Sequence, residues 1–142
     1  IQGENWVIKI KQKYIDEMIT HSRQENPNEC CGILAGRNGE VSQIFRVKNS
    51  APSPYRYVMD PQEIMEVMRE SVRQSIDLIA FYHSHTHTSA YPSDTDTRMA
   101  LESGWVDFCY VLVSLEDEVK PDVRFFVIDS DGAVSNQKVR VL

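Results

Sequence analysis

The chain has 142 residues and a formal net charge of −6, with 42% hydrophobic and 25% charged residues. This composition is ordinary for a globular protein, and we expect a single domain spanning residues 1–142. Because no apolar run approaches the ~18 residues of a membrane span and the charge is acidic, we expect neither a membrane nor nucleic acid as a main partner.

The first part of the chain predicts a helix followed by a hairpin. Residues 11–24 carry apolar side chains at the spacing of an amphipathic helix. Residues 31–35 and 41–47 are rich in strand formers, and they flank Asn38 and Gly39. Because Asn-Gly favours the two-residue turns that join antiparallel strands, these two segments are predicted to pair as a hairpin.

A second helix is predicted to begin near residue 60. Residues 55–59 are expected to form a short strand before it. Asp60 is expected to cap the helix, with Pro61 in its first turn and Glu63 reaching back to the cap. The helix should bury the apolar face formed by Ile64, Val67, Met68, Val72 and Ile76.

The second half of the chain predicts mostly strands. Residues 77–85 form an apolar strand, and residues 93–102 form a helix capped by Ser93. Residues 108–115 and 123–129 are expected to be strands, and a final strand should run through Val141. This order predicts an α/β fold in which helices flank one mixed β-sheet.

His83, His85 and Asp96 form the most informative group in the sequence. The two histidines end the predicted strand, where residues i and i+2 face the same side about 6.6 Å apart. Asp96 would be the third residue of the next helix, whose side chains tilt back toward its N-terminus. Two imidazoles and one carboxylate are the ligand set of a catalytic zinc site, which leaves the fourth position open. We therefore predict one zinc ion per chain.

The same residues also have a structural interpretation. Ser93 and Asp96 could be only an acidic variant of a helix capping box. His87 would lie ~13 Å from His83 along a continued strand, which is too far for one ion. Asp94 is rotated by ~200° from Asp96 around the helix. We expect His87 and Asp94 either to contact the metal ligands without binding the ion or to face solvent.

Glu29 is the candidate proton acceptor. It stands immediately before an apolar stretch that is bounded by glycines. Burial at the mouth of a strand would raise the pKa of its carboxyl into the range useful for general acid–base catalysis. The alternative is a solvated residue in a turn that ends the preceding helix.

These residues together resemble a known family. The pattern consists of Pro27, Glu29, Cys31, Gly32, Ile33, Leu34 and Gly36, followed by His83, His85, Ser93 and Asp96. It is similar to the JAMM (MPN+) zinc metalloproteases over about residues 5–135, and it looks most like their compact prokaryotic members. Members of this family cleave peptide or isopeptide bonds at the C-terminus of ubiquitin and ubiquitin-like proteins. Some prokaryotic members trim sulfur-carrier proteins, and one releases cysteine from its carrier.

The resemblance implies a fold related to cytidine deaminases and a role for each site residue. His83, His85 and Asp96 would hold zinc. Glu29 would act as general base and then as acid, and Ser93 would stabilise the oxyanion.

The resemblance also implies the partner, which is the Gly-Gly tail of a ubiquitin-like or sulfur-carrier protein. The tail could pair with a sheet edge, and residues 41–47 and 51–57 are the candidate groove. Residues 48–60 and 97–107 leave little room for insertions that grip a second ubiquitin, which favours a sulfur carrier or a small modifier. The leaving group could be cysteine, a lysine side chain or a linear peptide. Whether the protein forms a homodimer also stays open.

Other functions fit only parts of the sequence. Three cysteines without a visible signal peptide predict reduced thiols in the cytoplasm, and we expect them to be buried rather than nucleophilic. Deaminases need an H-x-E and a P-C-x-x-C motif, which are missing here. His85 and His87 resemble the opening motif of certain metal phosphoesterases, which need more ligands downstream. The alternative outside enzymology is an inert scaffold of the same fold that binds a ubiquitin-like tail.

Overall fold

The computed structural model describes residues 6–142, so residues 1–5 of the expected domain lie outside the described part. The strands are β1 (Val7–Ile10), β2 (Cys31–Arg37), β3 (Glu40–Val47), β4 (Asp77–His85), β5 (Phe108–Ser114), β6 (Asp122–Ile128), β7 (Val134–Asn136) and β8 (Lys138–Val141). The helices are α1 (Gln12–Glu25), α2 (Pro61–Gln74) and α3 (Asp94–Ser103). The strands form one mixed sheet in the order β7-β6-β5-β4-β2-β3-β1-β8. This architecture confirms the predicted fold class.

The helices lie on both faces of the sheet. Met18 of α1 packs in the same cluster as Tyr82, whereas Val67 of α2 and Ala100 of α3 pack in the cluster that contains Phe81. Phe81 and Tyr82 are neighbours in β4 and therefore point to opposite faces. Alternation along β4 then places His83 and His85 on the face that carries α2 and α3.

The hairpin and the first helix agree with the sequence. Asn38 and Gly39 both have positive φ angles, 52° and 77°, as the predicted two-residue turn requires. Strands β2 and β3 pair antiparallel on either side of it. Helix α1 is displaced by one residue from the predicted range of 11–24.

The last strand is split, which corrects the prediction of one strand through Val141. β7 pairs with β6, whereas β8 pairs with β1 at the opposite edge of the sheet. Gln137 separates them, and its backbone N–H donates to Phe125 O at 3.0 Å while its side chain donates to Trp6 O at 2.8 Å. The two edges therefore meet at Gln137, and the sheet curls around the face that carries α1.

Residues 55–59 do not form the predicted strand. The segment makes one isolated bridge, between Asn49 and Met59. The side chain of Asn49 accepts the backbone N–H of Val58 at 3.0 Å and thereby occupies a donor that a ladder would use. Polar capping by one side chain replaces strand pairing here.

Helix α2 begins at the predicted residue, but the face that it buries differs from the predicted face. Asp60 caps it by accepting the N–H of Gln62 at 3.1 Å. Glu63 does not reach back to the cap, because its carboxylate accepts the N–H of Lys48 at 2.8 Å. Met68 and Val72, predicted to be buried, are 43% and 79% exposed. The contact face is rotated toward Val67 and Ser71, which are the residues buried in this helix.

The described helices are short. α1 and α2 have 14 residues each, and α3 has 10. None of them combines the length and the apolar character needed to cross a membrane.

Candidate metal centre

Three side chains converge at the end of β4. The Nε2 atoms of His83 and His85 lie 3.1 and 3.0 Å from the same carboxylate oxygen, Oδ2 of Asp96. One potential ligand atom from each of the three residues lies within 4.8 Å of the others, and all three residues are buried. Donor atoms at 2.0–2.1 Å from one tetrahedral zinc ion are themselves ~3.3 Å apart. The separations therefore suit a single ion.

Local structure explains the convergence. His83 and His85 alternate with Ser84 along β4, so both imidazoles point to the same face. Asp96 is the third residue of α3, where Ser93 Oγ accepts its N–H at 3.0 Å and Asp96 Oδ2 accepts the N–H of Ser93 at 2.9 Å. The capping box and the approach to the histidines are therefore compatible, because the same carboxylate makes both contacts.

The two histidines differ in how they are held. His85 Nδ1 lies 2.8 Å from Ser89 O and donates to that carbonyl, which fixes the ring plane and leaves Nε2 as the nitrogen that can bind an ion. Among residues 6–142, neither ring nitrogen of His83 has a hydrogen-bond partner, although Nε2 is close to Asp96. The short separation is poorly aligned for a hydrogen bond. A buried nitrogen without a partner needs an explanation, and an ion on Nε2 supplies one.

The charges at the centre suit a cation. Burial alone would raise the pKa of Asp96, but the adjacent His83 ring and the hydrogen bonds from His85 and from the N–H of Ser93 outweigh it and hold that pKa well below its usual range. Burial alone would lower the pKa of His85, but hydrogen bonds to Asp96 and Ser89 outweigh it and raise that pKa. An ionised carboxylate is the form in which Asp96 would ligate a metal, and a bound ion would displace the proton that Asp96 favours on His85.

Glu29 lies next to this centre. Cys31 pairs with His83 in the β2–β4 ladder, and the N–H of Ser84 donates to Cys30 O at 3.1 Å. The same antiparallel register, continued by one residue, places Glu29 opposite His85 and on the same face. Glu29 is only 5% exposed, so it is not the solvated turn residue of the alternative interpretation.

The Glu29 carboxyl is desolvated. Its Oε1 has no hydrogen-bond partner in the described part of the chain. Burial, opposed by His85 and assisted by Asp96, raises its pKa from 4.5 to about 8. Such a group can hold or release a proton near neutral pH.

This pKa predicts how the stability of the metal-free protein depends on pH. Because the folded state binds the Glu29 proton more tightly than the unfolded state, stability falls as pH rises between 4.5 and about 8. Glutamine at this position cannot ionise, so Glu29→Gln should stabilise the metal-free protein at about pH 9 more than at about pH 5. Thermal unfolding in chelator at both pH values measures the difference. An equal effect at the two pH values would contradict the raised pKa.

The hydroxyl of Ser93 can act as a hydrogen-bond donor. Its Oγ already accepts the N–H of Asp96, and Ser93 itself is exposed. The hydroxyl proton can therefore be donated to a ligand beside the three converging residues. The exposure also leaves that donor accessible from solvent.

His87 and Asp94 lie outside the cluster, as expected. His87 is exposed and its Nδ1 contacts Thr86 Oγ1 at 2.7 Å, while Asp94 is exposed in the first turn of α3. Over residues 6–142, the cluster of His83, His85 and Asp96 is the one group of three or more such side chains that could hold a metal. A phosphoesterase with several metals has no support in this arrangement.

The thiols do not suit nucleophilic catalysis. Cys30, Cys31 and Cys109 are free and buried, and burial raises the pKa of each. Reactive cysteines need a lowered pKa and access to substrate. The packing interpretation of these residues is therefore favoured over a cysteine protease.

Two contributors to the site were not identified from the sequence. The ring of Tyr57 stacks on His83 with centroids 4.2 Å apart. The side-chain amide of Asn49 donates to Glu29 O at 3.0 Å. Both residues lie in a segment without regular structure, and no spacing rule connects them to the histidines.

The chain is similar to one family model and to several curated proteins. The family model of prokaryotic homologs of the JAB domain matches residues 11–129. The CysO-cysteine peptidase of Mycobacterium tuberculosis is 36% identical over 143 residues, which cover 99% of this chain and 95% of that protein. A desampylase of Haloferax volcanii is 31% identical over 106 residues, covering 70% and 74%.

A solved structure agrees with these matches. The solution structure of a protein from Desulfitobacterium hafniense superposes with a TM-score of 0.84 at 31% identity, covering 95% of this chain and 92% of that one. The range of the family model includes Glu29, Ser93 and all three converging residues. The similarity therefore extends over the whole candidate centre.

Proposed function

Because the chain belongs to the prokaryotic JAB domain family, which confirms the resemblance found in the sequence, we propose that it is a zinc-dependent peptidase or isopeptidase. Its substrate would be the amide bond after the C-terminal Gly-Gly of a ubiquitin-like or sulfur-carrier protein. The observation that carries this proposal is the buried convergence of His83, His85 and Asp96 beside the desolvated Glu29. The relatives named CysO-cysteine peptidase and desampylase support the substrate class.

The ion would be held by Nε2 of His83, Nε2 of His85 and Oδ2 of Asp96. The unpartnered nitrogens of His83 and the ionised state of Asp96 support this assignment. When bound, zinc would acidify a water molecule and polarise the scissile carbonyl. Three protein ligands leave room for both functions, which a closed structural site would not.

Glu29 would move the proton. Its carboxylate accepts a proton from the attacking water as the C–O bond forms at the scissile carbonyl carbon. It then gives that proton to the nitrogen of the leaving group as the C–N bond breaks. The desolvated position of Glu29 supports this role, because burial raises the proton affinity of the carboxylate toward that of the groups it serves.

Ser93 would donate its hydroxyl proton to the developing oxyanion. Ser93→Ala should fold and bind zinc, with kcat lower by up to ~10²–10³-fold, which is the effect of removing one oxyanion donor elsewhere. The lost cap should also reduce the free energy of unfolding by ~1 kcal/mol. Steady-state kinetics and thermal unfolding separate the two effects. Loss of stability without a change in kcat would leave Ser93 as a cap alone.

A carrier-fusion assay tests the proposed function. Purified protein is analysed for zinc and then incubated with carrier proteins whose Gly-Gly tail is extended by cysteine, by a lysine side-chain conjugate or by a linear peptide. We expect about one zinc per chain and cleavage after Gly-Gly in at least one arm, seen by mass spectrometry. Chelator should stop cleavage, and added zinc should restore it.

The same assay identifies the scaffold alternative. A protein that binds the carriers without cutting them, or that contains no zinc after reconstitution, would overturn the proposal. Cleavage that persists in chelator would overturn the metal dependence while keeping the peptidase activity. The free, buried thiols support a reducing compartment, so the assay should be run in reductant.

A further inference from the structure

His83 is held by an aromatic stack. Its ring lies 4.2 Å from that of Tyr57, centroid to centroid, with 26° between the planes. His83 is 1% and Tyr57 8% exposed, so solvent does not compete with this contact. The ring of His85 also touches His83, but edge-on and farther away, at 5.1 Å and 64°. Tyr57 therefore covers one face of the His83 imidazole.

This stack occurs where a hydrogen bond is usually found. A histidine that ligates a metal almost always donates its second ring N–H to a carbonyl or carboxylate, which fixes the ring plane. His85 does so through Ser89. His83 Nδ1 is buried and has no such partner within residues 6–142. Packing must therefore set the orientation of the His83 ring, and Tyr57 provides the closest parallel surface.

Tyr57 is itself fixed by the segment that carries it. Asn49 Oδ1 accepts the N–H groups of Ala51 and Val58, at 3.1 and 3.0 Å, so it holds both ends of the loop that contains Tyr57. The Nδ2 atom of the same side chain donates to Glu29 O at 3.0 Å. The loop is therefore tied to the backbone of Glu29, and the Tyr57 ring cannot move freely relative to the centre.

We propose that Tyr57 is a positioning residue for His83, and that its ring replaces the missing hydrogen bond by holding the imidazole plane with Nε2 facing Asp96. The inference rests on the proposed role of His83 as a metal ligand. A stacked ring restricts the imidazole before the ion arrives, so less ordering remains to be done on binding. The proposal assigns the effect to the ring of Tyr57 and not to its hydroxyl, because the contact with His83 is a stack of the two ring planes.

Three variants separate the effect of the Tyr57 ring from that of its hydroxyl and from that of any substitution in this segment. Tyr57→Phe keeps the ring, whereas Tyr57→Met removes it and keeps a flexible apolar side chain of similar length. A cavity of about 180 Å³ borders Tyr57 but not His83, which leaves room for methionine to settle. Tyr55→Met is the matched control, because Tyr55 lies in the same segment, is 78% exposed and faces His87 instead.

Zinc affinity is the first measurement, made by competition with a coloured chelator. Tyr57→Met should bind zinc about 10-fold more weakly, at the low end of the 10–100-fold losses seen when partners of metal ligands are removed. Tyr57→Phe and Tyr55→Met should bind as the wild type does. Wild-type affinity in Tyr57→Met would overturn the inference. A loss in Tyr57→Phe as large as in Tyr57→Met would assign the effect to the hydroxyl and also overturn it.

Proton NMR of the metal-free protein is the second measurement and does not depend on the ion. The His83 ring protons should be shifted upfield by the stacked ring in the wild type and in Tyr57→Phe, and the shift should vanish in Tyr57→Met. Absence of that shift in the wild type would overturn the stack. His83→Ala distinguishes a failure of the ligand assignment from a failure of the stack. Undiminished zinc binding by that variant would refute His83 as a ligand, whereas the ring shift of the wild type would still show that Tyr57 stacks on His83.

Discussion

Glu29→Gln should reduce turnover by ~10²–10⁴-fold, which is the typical contribution of general acid–base catalysis, while zinc binding is retained. Glutamine has almost the same shape as glutamate, so the packing around this buried residue is kept. Its amide cannot accept a proton from water. Single-turnover cleavage of a carrier fusion, with zinc content measured on the same sample, checks both parts of the prediction.

Zinc should stay bound because Glu29 is not one of the converging residues. The three candidate ligands come from β4 and α3, whereas Glu29 precedes β2 and reaches the site through the β2–β4 register. Glu25→Gln is the matched control, since Glu25 is exposed at the end of α1, four residues away, and carries the same substitution. Near-normal cleavage by Glu29→Gln would remove Glu29 from the mechanism. Loss of zinc from the same variant would make it a ligand instead.

The parts of the fold that could be predicted depend on local patterns. The spacing of apolar residues gave α1, and Asn38-Gly39 gave the hairpin, because each is determined by residues close together in sequence. The exposed face of α2 and the split between β7 and β8 depend on which distant surfaces meet. Gln137 sends the chain from one sheet edge to the other through contacts with Phe125 and Trp6. No periodicity in residues 133–142 encodes that change of partner.

The candidate site divides in the same way. His83 and His85 could be placed on one face because strand alternation fixes it, and Asp96 could be aimed at them because helix geometry does. The chemistry proposed for Glu29 needed the resemblance as well, since its proximity depends on the antiparallel register of β2 and β4. Tyr57 fell within the candidate groove of residues 51–57, but its stack on His83 could not be predicted, because it depends on a loop held by the side chain of Asn49.

Asp96→Ala should abolish zinc binding and cleavage together. The carboxylate has two functions, since Oδ2 faces both histidines and also accepts the N–H of Ser93. Alanine removes both, so the free energy of unfolding should also fall by ~1 kcal/mol for the lost cap. Asp94→Ala is the matched control, because Asp94 is an exposed aspartate in the same first turn of α3.

Asp96→Asn separates the two functions of this residue. An amide oxygen can still accept the N–H of Ser93, so α3 should keep most of its capping energy. A neutral amide is a much poorer ligand for zinc than a carboxylate, so metal content and turnover should fall nearly as far as in Asp96→Ala. Zinc analysis, cleavage and thermal unfolding of the three variants test this together. Full zinc content in Asp96→Asn or Asp96→Ala would restrict Asp96 to the capping box and remove it from the proposed ligand set.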